Sequence, residues 1–382
     1  MKIIVTMKLS NRNLMYHIYP LSLVESIEKI IIVRDIIGPD IKKVEYVCPP
    51  LWTLKFPPFA FFIKMMQLIY ISVKERPLFI HSFLLYPHGI LALIAAKLTG
   101  NKVGIFLIAG PIELYTFGNS PGKKYAYTNI LPPLTLKGKI LLKLVNRFTF
   151  ITIAGSYTKK FLLDKGIPVK KIFYLPYAII DENCRPSLTL KTYDLIYIGR
   201  LTKSKHIEVG IYAVKKLIDY YGLNELKFGI VGDGPCREKL EMLCIKLNLS
   251  ANIEFLGHQS DIATYFNKAK LSIVTSERET GPLTAIESMM CGVPVISSRC
   301  GDTVNDLIID GTDGYLIDNY EDHSAFAERI AHLLTDDTML LTFSKNAIKS
   351  PNIIGVDRLA NRWRLLIEMI ISDTNKVTNI RE

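Results

Sequence analysis

Short apolar runs recur along this chain, and a longer stretch of helical character separates each run from the next. Several runs are apolar throughout, which is typical of strands whose sheet is covered by helices on both faces. Strands that alternate with helices predict an α/β fold with parallel, doubly wound sheets. The predicted strands are Ile3–Met7, Lys29–Arg34, Val44–Cys48, Leu78–Phe83, Val103–Ile108, Thr149–Ala154, Ile172–Leu175, Leu195–Ile198, Lys227–Val231, Ile253–Leu256, Leu271–Val274, Val293–Ser297 and Gly314–Ile317.

The predicted strands form two series, one on each side of a polar, turn-forming segment at 181–187. A chain of 382 residues also has about the length of two domains. We therefore predict two doubly wound α/β domains, at 1–185 and 186–355. The last segment, 356–382, includes an amphipathic helix in which we expect Trp363 to be a packing anchor.

The sequence has no convincing secretory signal and no convincing membrane span. Residues 77–96 contain no Lys, Arg, Asp or Glu, but Pro87 and Gly89 interrupt them, and Lys64 divides the apolar residues of 56–73. The six cysteines include no Cys-x-x-Cys pair, which disfavours a zinc site or a redox dithiol and indicates reduced thiols. These features predict a cytoplasmic protein.

Charge is unevenly distributed along the chain. Residues 1–178 hold 24 Lys and Arg against 8 Asp and Glu, a net charge of +16, whereas residues 179–382 have a net charge of −5. This asymmetry indicates that the first half meets an anionic partner: a membrane surface, a phosphate-bearing substrate or a nucleic acid. A nucleic acid is disfavoured because the sequence contains no recognisable nucleic-acid-binding module.

The apolar stretch Leu54–Lys74 favours the membrane among these partners. Its aromatic side chains could insert shallowly into an interface, and the surrounding basic residues would be attracted to anionic lipid. The sequence therefore predicts peripheral association with the cytoplasmic membrane face. The alternative places this stretch in the domain core and the charges around a soluble phosphate-bearing acceptor. The aromatic residues concerned are Phe56, Phe59, Phe61 and Phe62.

Two loops of the second half directly follow predicted strands, where α/β sheets bind ligands. In the first, Arg200 and Lys205 could both reach a diphosphate. In the second, Gly232 and Gly234 would let the backbone approach a ligand closely. A dinucleotide fingerprint would need a third glycine at position 237, where the chain has Arg237, so a simple dehydrogenase is disfavoured.

A third loop, at 275–287, carries two carboxylates eight positions apart, Glu279 and Glu287. Pro282 suits the first turn of a helix, so the amides of Leu283 and Thr284 would point at an anion. One carboxylate could accept hydrogen bonds from a ribose and the other from a sugar. Alternatively, Glu287 is structural and Glu279 is a solvated loop acid.

The order of these motifs resembles that of retaining glycosyltransferases of family 4. The resemblance covers residues 150–320 and rests on several ordered motifs rather than on any one. They are Gly155-Ser156-Tyr157-Thr158-Lys159, Gly199-Arg200-Leu201 with Lys205, Val231-Gly232-Asp233-Gly234-Pro235, Phe255-Leu256-Gly257-His258, Glu279 and Glu287 with Cys291-Gly292-Val293-Pro294, and Asp310-Gly311 through Ile317.

The resemblance implies the GT-B fold, in which two Rossmann-like domains face a cleft. It implies that 1–185 is the acceptor side, that 186–355 holds a nucleotide-sugar donor, and that the last helix returns to the first domain. Arg200 and Lys205 would hold the diphosphate, Glu287 the ribose and Glu279 the transferred sugar. The remaining residues of the implied donor site are Gly232, Gly234, His258, Gly281, Leu283 and Thr284.

The first half departs from the family pattern at two places. The segment after the first strand, 7–13, has no glycine where many relatives have a glycine-rich loop. Ala109 and Gly110 follow the fifth strand, where many relatives have an active-site histidine. The candidates to replace that histidine are His88, His81 and Glu113.

The implied reaction moves a hexose-type sugar from a UDP- or GDP-sugar to a glycan acceptor, with retention at the anomeric carbon. The basic first half and the apolar stretch Leu54–Lys74 lead us to expect a lipid-linked acceptor. The sequence contains no Asp-x-Asp motif, so we expect no metal and no other cofactor, with fixed cations stabilising the departing diphosphate. The alternatives are a nucleotide-sugar epimerase of the same fold and a catalytically inactive protein that binds sugar nucleotides.

Overall fold

The computed structural model describes residues 1–116, 131–179, 183–279, 281, 283–350 and 352–378, with backbone alone for 373–378. Pro282, predicted in the first turn of a helix, lies outside the described residues. The chain divides into two compact units. The first comprises 1–116, 132–179 and 354–378 among the described residues, and the second comprises Leu131 and 183–353 without 280, 282 and 351. The division thus falls a few residues before position 185 of the predicted boundary, and the last helix belongs to the first unit.

The first unit contains a parallel sheet in the order β3-β2-β1-β4-β5-β6-β7. The five inner strands are buried along most of their length because they consist mainly of β-branched and aromatic residues covered from both faces, whereas the two edge strands are more exposed. They are β1 (Lys2–Thr6), β2 (Lys29–Val33), β3 (Val44–Val47), β4 (Phe79–Phe83), β5 (Lys102–Phe106), β6 (Phe150–Ile153) and β7 (Ile172–Tyr174).

Helices and short helical turns connect these strands. The chain passes from β1 to β3 in one direction and from β4 to β7 in the other, so the strand order reverses between β1 and β4. In doubly wound sheets, the carboxyl ends of the strands at such a reversal are where ligands bind. The helices are α1 (Asn11–Ser22), α2 (Pro57–Glu75), α3 (Ile90–Thr99), α4 (Glu113–Thr116), α5 (Leu136–Val145) and α6 (Ser156–Asp164), with helical turns at Leu51–Lys55 and Leu85–Gly89.

A short strand pair joins the middle of the chain to its end. Ala178–Ile179 (β8) pairs in parallel with Ile354–Gly355 (labelled β15 below). The last helix, Val356–Thr378 (labelled α14 below), then packs along α1. Trp363 is 3% exposed, which confirms its predicted packing role, and its ring meets that of His81 edge-on at 5.4 Å.

The second unit contains a parallel sheet in the order β11-β10-β9-β12-β13-β14, which reverses between β9 and β12. The strands are β9 (Tyr193–Ile198), β10 (Phe228–Val231), β11 (Ile253–Gly257), β12 (Ala269–Val274), β13 (Val295–Ser298) and β14 (Gly314–Ile317). The helices are α7 (Ile207–Tyr221), α8 (Arg237–Lys246), α9 (Ile262–Asn267), α10 (Leu283–Met290), α11 (Asp302–Leu307), α12 (His323–Leu334) and α13 (Asp337–Ile348), and the terminal elements are β15 (Ile354–Gly355) and α14 (Val356–Thr378).

The predicted fold class is confirmed, because both units have parallel sheets with helices between consecutive strands. Each of the predicted strands has a counterpart, displaced by at most two residues at either end. The pair of β8 and β15 is an addition that the sequence did not reveal, since its two-residue strands are about 175 positions apart and too short to show periodicity.

Candidate functional site

Several predicted site residues lie together where the strand order of the second sheet reverses, between β9 and β12. The loop after β9 runs from Gly199 to Lys205, and the loop after β12 begins at Thr275. Because β9 and β12 are hydrogen-bonded neighbours in parallel, these two loops leave the sheet side by side. The loops after β10 and β13 flank them.

The glycine loop after β10 packs directly on the backbone of the loop after β9. Gly232 has φ +133°, and a Cβ there would lie 1.9 Å from the carbonyl oxygen of Gly199. Gly234 has φ +156°, and a Cβ there would lie 2.5 Å from the carbonyl oxygen of Leu201. No residue with a side chain fits at either position, since both the conformation and the space require glycine. The glycines therefore serve loop-to-loop packing.

Backbone hydrogen bonds connect three of these loops into one layer. The Leu201 N–H donates to the carbonyl of Asp233 at 2.9 Å, and the Gly232 N–H donates to the carbonyl of Gly257 at 2.7 Å. The loop after β10 thus lies between the loops after β9 and β11. It fixes the backbone at Arg200, whose side chain is exposed, while His258 is exposed at the start of the loop after β11.

Lys205 and Glu279 form an ion pair across the reversal point. Their side chains are 20% and 17% exposed, so the pair is shielded but reachable from solvent. The Ser276 hydroxyl donates to the same Glu279 carboxylate at 2.6 Å. The structure thus brings together two residues that the sequence assigned to neighbouring parts of one ligand. Ser276 was missed, although it directly follows the strand and lies three residues before Glu279.

Backbone contacts hold the loop after β12 on both sides. The Glu277 N–H donates to the carbonyl of Ser204 at 3.0 Å, and the Glu279 N–H donates to the carbonyl of Cys300 at 2.6 Å. The Thr275 hydroxyl donates to the carbonyl of Lys205 at 2.8 Å. Glu279 is therefore positioned by its backbone as well as by its ion pair.

A histidine beside the ion pair was not among the predicted site residues. His206 follows Lys205 with φ +45° and precedes α7. Its ring nitrogens lie 3.2 Å from the Glu208 carboxylate and 3.4 Å from the Glu277 carboxylate, and its ring packs on that of Tyr320. The hydrogen bond to Glu208 is the largest cause that raises the pKa of His206. A titratable cation therefore adjoins the candidate diphosphate site.

The second carboxylate, Glu287, lies inside α10 and is 0% exposed. Gly281 and the first residues of α10, Leu283 and Thr284, are half-buried. Helix α10 thus begins four residues after Glu279 in the sequence. The ion pair of Lys205 and Glu279 does not include the side chains of Arg200, His258 or Glu287.

In the first unit, His88 lies at the other strand reversal, between β1 and β4. It belongs to the helical turn after β4, and its Nδ1 lies 2.7 Å from the Thr6 hydroxyl at the end of β1. The side chain is 0% exposed, and burial lowers the pKa of His88 to about 3. His81 lies within β4, where its ring stacks on that of Phe150 and its Nε2 meets the Thr152 hydroxyl.

Glu113 contacts the same turn that carries His88. Its carboxylate accepts hydrogen bonds from the backbone N–H groups of Leu85 at 2.6 Å and Ala109 at 2.9 Å. Glu113 therefore joins the loop after β4 to the loop after β5. This geometry suits a buried residue that positions the loops.

A second buried charge cluster lies near His88 and was not predicted. The Lys64 ammonium, 8% exposed on α2, donates to the Asp35 carboxylate at 2.6 Å. Arg34 donates to the Asn11 side chain and to the Leu9 carbonyl in the loop after β1. These partners are distant in sequence, so no local pattern could have revealed them.

Within the described part of the chain, no group of three or more His, Cys, Asp or Glu side chains has the arrangement of a metal site. No helix among those residues combines the length and apolar character needed to span a membrane.

The sequence of this chain is similar to a known family model and to curated proteins. Residues 181–350 match the sequence model described as glycosyl transferases group 1. The chain is 24% identical over 309 residues to N-acetyl-alpha-D-glucosaminyl L-malate synthase of Bacillus anthracis, covering 78% of this chain and 75% of that protein. It is 28% identical over 217 residues to the GalNAc-alpha-(1->4)-GalNAc-alpha-(1->3)-diNAcBac-PP-undecaprenol alpha-1,4-N-acetyl-D-galactosaminyltransferase of Campylobacter jejuni, covering 57% and 59%.

Some curated relatives are considerably longer than the part they share with this chain, which spans 25% and 41% of two of them. Among solved structures, Anabaena Alr3699/HepE in complex with UDP-glucose superimposes with a TM-score of 0.71 at 15% identity, covering 96% of this chain and 99% of that one. Residues 181–350 of this chain therefore resemble the glycosyl transferases group 1 family, and the chain has the GT-B fold of two Rossmann-like domains.

Proposed function

We propose that this chain is a retaining glycosyltransferase of family 4 that moves a hexose-type sugar from a UDP- or GDP-sugar to a glycan acceptor. The observation that carries the proposal is the pairing of Lys205 with Glu279 at the strand reversal of the second sheet. A cation for a diphosphate and a carboxylate for sugar hydroxyls are held there side by side. The solved complex of HepE with UDP-glucose supports a UDP-sugar as donor.

The charged residues of the predicted donor site, His258 and the start of α10 have separate chemical roles in this proposal. Arg200 and Lys205 bind the diphosphate, and the amides at the start of α10 add partial positive charge. Glu287 accepts hydrogen bonds from the ribose, and Glu279 from the transferred sugar. His258 borders the base.

The reaction exchanges one bond at the anomeric carbon. The bond from that carbon to the diphosphate oxygen breaks, and a bond to the acceptor hydroxyl oxygen forms on the same face of the sugar. The hydroxyl proton passes to the departing diphosphate, whose growing negative charge Arg200 and Lys205 stabilise. These fixed cations take the part that a divalent metal has in other transferases, so we propose no metal requirement.

The first unit would shape the acceptor side. His88 belongs to the turn at Leu85–Gly89, and Glu113 accepts a hydrogen bond from its backbone, at the sheet edge where such domains bind ligands. Glu113 would act by positioning the turn, and His88 is the candidate for a proton-accepting or hydrogen-bonding role. A lipid-linked glycan is the acceptor we propose, and the undecaprenol-linked substrate named for the Campylobacter relative supports it.

A panel of UDP- and GDP-sugars, each with and without glycan acceptors, tests the proposal. We expect nucleoside diphosphate release that depends on acceptor, and a product whose anomeric configuration, read by NMR, equals that of the donor. Release of free or epimerised sugar without acceptor would instead identify the epimerase. Nucleotide binding without turnover of any donor would identify an inactive binding protein.

The same assay, run with excess chelator, tests whether transfer requires a metal. We expect the rate to be unchanged in excess chelator, because the proposed charge stabilisation comes from side chains. Loss of activity that magnesium or manganese restores would contradict this part of the proposal and leave the reaction class standing.

A further inference from the structure

The helix α2 presents apolar side chains on its outer face. Phe59, Phe62, Met66, Tyr70 and Val73 are 42–65% exposed and follow one another at spacings of three and four residues. At 100° per residue these positions fall within one stripe. The opposite side of the helix packs on the sheet through Ala60, Leu68 and Ile71.

The helical turn before α2 extends this stripe. Leu51, Trp52 and Phe56 are each more than half exposed, and the rings of Trp52 and Phe59 lie 5.4 Å apart. A surface helix of a globular protein normally presents polar residues to water. An exposed apolar surface of this extent is typical of a docking site. We call this exposed surface the apolar stripe. It comprises Leu51, Trp52, Phe56, Phe59, Phe62, Met66, Tyr70 and Val73.

Helices α3 and α5, on the same face as α2, carry basic residues. The connections through α2, α3 and α5 all advance in the same direction along the sheet, so right-handed crossovers put these helices on one face. Helix α2 packs against α3, and a groove of about 700 Å³ between α3 and α5 is lined by Ile94, Lys97, Leu144 and Arg147 among others.

The charge on this face is positive. Its exposed cations are Lys55, Lys74, Lys97, Lys137, Lys139, Lys143 and Arg147. Helices α3 and α5 contain no Asp or Glu. The single acid of α2, Glu75, has a side chain that is 14% exposed and is paired with Lys2 and Lys29.

We propose that the face formed by α2, α3 and α5 docks on an anionic lipid bilayer, with the apolar stripe inserted at the level of the headgroups. Aromatic and apolar side chains favour the interface, and each nearby cation adds attraction to anionic lipid. The charge complementarity selects this occupant over a second copy of the chain, because two copies of the same face would bring like charges together.

Vesicle sedimentation of the full chain tests the proposal, with phosphatidylcholine vesicles that contain or lack phosphatidylglycerol. We expect the protein to sediment with the anionic vesicles at low salt and to be released at high salt, since exposed charges are screened. Trp52 provides a second readout. Its fluorescence should shift to the blue on binding and be quenched by lipids brominated near the headgroup, whereas the buried Trp363 should not respond in a Trp52→Phe variant.

Variants with matched controls locate the surface. The double variant Phe59→Ser and Phe62→Ser should lower vesicle binding at least tenfold. The control Met242→Ser and Ile245→Ser removes similarly exposed apolar side chains from α8 of the second unit and should change nothing. Lys137→Gln, Lys139→Gln and Lys143→Gln should lower binding roughly fivefold each, whereas Lys239→Gln and Lys246→Gln should not.

Three results would overturn the proposal. They are a wild-type protein that stays in the supernatant with anionic vesicles at low salt, a stripe variant that sediments like the wild type, and a dimer that the stripe variant dissociates. The affinity for UDP should be equal in all these variants, so the outcome does not depend on the proposed reaction.

Discussion

At the scale of single residues, the central feature is the ion pair between Lys205 and Glu279. A diphosphate would compete with the carboxylate of Glu279 for the Lys205 ammonium. The exchange would leave Glu279 with Ser276 as partner and make its carboxylate available for a sugar hydroxyl. The two residues thus have opposite effects on an anionic ligand.

This opposition predicts the behaviour of Glu279→Gln. The variant removes a negative charge beside the diphosphate, so UDP should bind with equal or higher affinity than to the wild type. Transfer should fall by roughly 100-fold, because a contact to the reacting sugar is lost. Calorimetric titration with UDP and a rate measurement with saturating donor check the two parts. Weaker UDP binding by Glu279→Gln would show that we have assigned its role wrongly.

At the scale of elements, the loops at the edge of the second sheet form one hydrogen-bonded layer in which the loop after β10 lies in the middle. Its two glycines make contacts that no side chain would allow. A change in this loop should therefore act on the loop after β9, which carries Arg200 and Lys205.

We predict that Gly232→Ala weakens UDP binding at least tenfold, because the added Cβ would displace the backbone at Gly199. The matched control is Gly222→Ala, which also has a positive φ, of +69°, but no atom within 4 Å of the added Cβ. That variant should lose about 1 kcal/mol of stability and keep its UDP affinity. Titration calorimetry and thermal unfolding distinguish the two. Equal UDP affinity in Gly232→Ala and the wild type would show that the loop after β10 does not position the loop that carries Arg200 and Lys205.

Local sequence patterns predicted most of the candidate site residues at the edge of the second sheet. The contacts that the sequence did not predict join residues far apart in the chain. The strand ends, the glycine loop and the two glutamates were readable because each is a feature of consecutive residues. The contacts between His206 and Glu277 and between Lys64 and Asp35 join residues 71 and 29 positions apart, and nothing in the local sequence specifies them. The same holds for Glu113, whose carboxylate meets the N–H of Leu85, 28 positions away.

At the scale of the whole molecule, the two units differ in their response to acid. The three histidines of the first unit, His17, His81 and His88, are all buried, and burial lowers the pKa of each to about 3. In the unfolded chain they would titrate near 6.5. In the second unit, His206 has a raised pKa because of its carboxylate partners.

The sign of the effect follows from proton uptake. Between pH 6.5 and 3 the unfolded first unit binds up to three more protons than the folded one, so its stability falls as the pH is lowered. The loss from pH 7 to pH 5 is roughly 6 kcal/mol if all three contribute. His206 acts in the opposite direction, since its stabilisation is present below pH 6.5 and is lost as the pH rises through its higher folded pKa.

Both tryptophans, Trp52 and Trp363, belong to the first unit, so tryptophan fluorescence reports on its unfolding alone. We predict a lower urea midpoint at pH 5 than at pH 7. His17→Phe should reduce the difference by about a third, because His17 packs among the rings of Phe83, Phe106 and Tyr177 and a phenyl ring fits there. Equal midpoints at the two pH values would show that these histidines are protonated in the folded protein.

The most direct test of the account is a calorimetric titration of UDP and GDP into the wild type, Lys205→Met and Lys203→Met. Lys203 lies on the same turn as Lys205 and is exposed, so it controls for a general loss of positive charge. We predict that one of the nucleotides binds the wild type with one molecule per chain. Lys205→Met should weaken this binding at least tenfold, as expected for a lost charge-assisted hydrogen bond, and Lys203→Met should change it less than about twofold. Absence of binding by both nucleotides, or equal affinity in all three proteins, would contradict the assignment of the donor site.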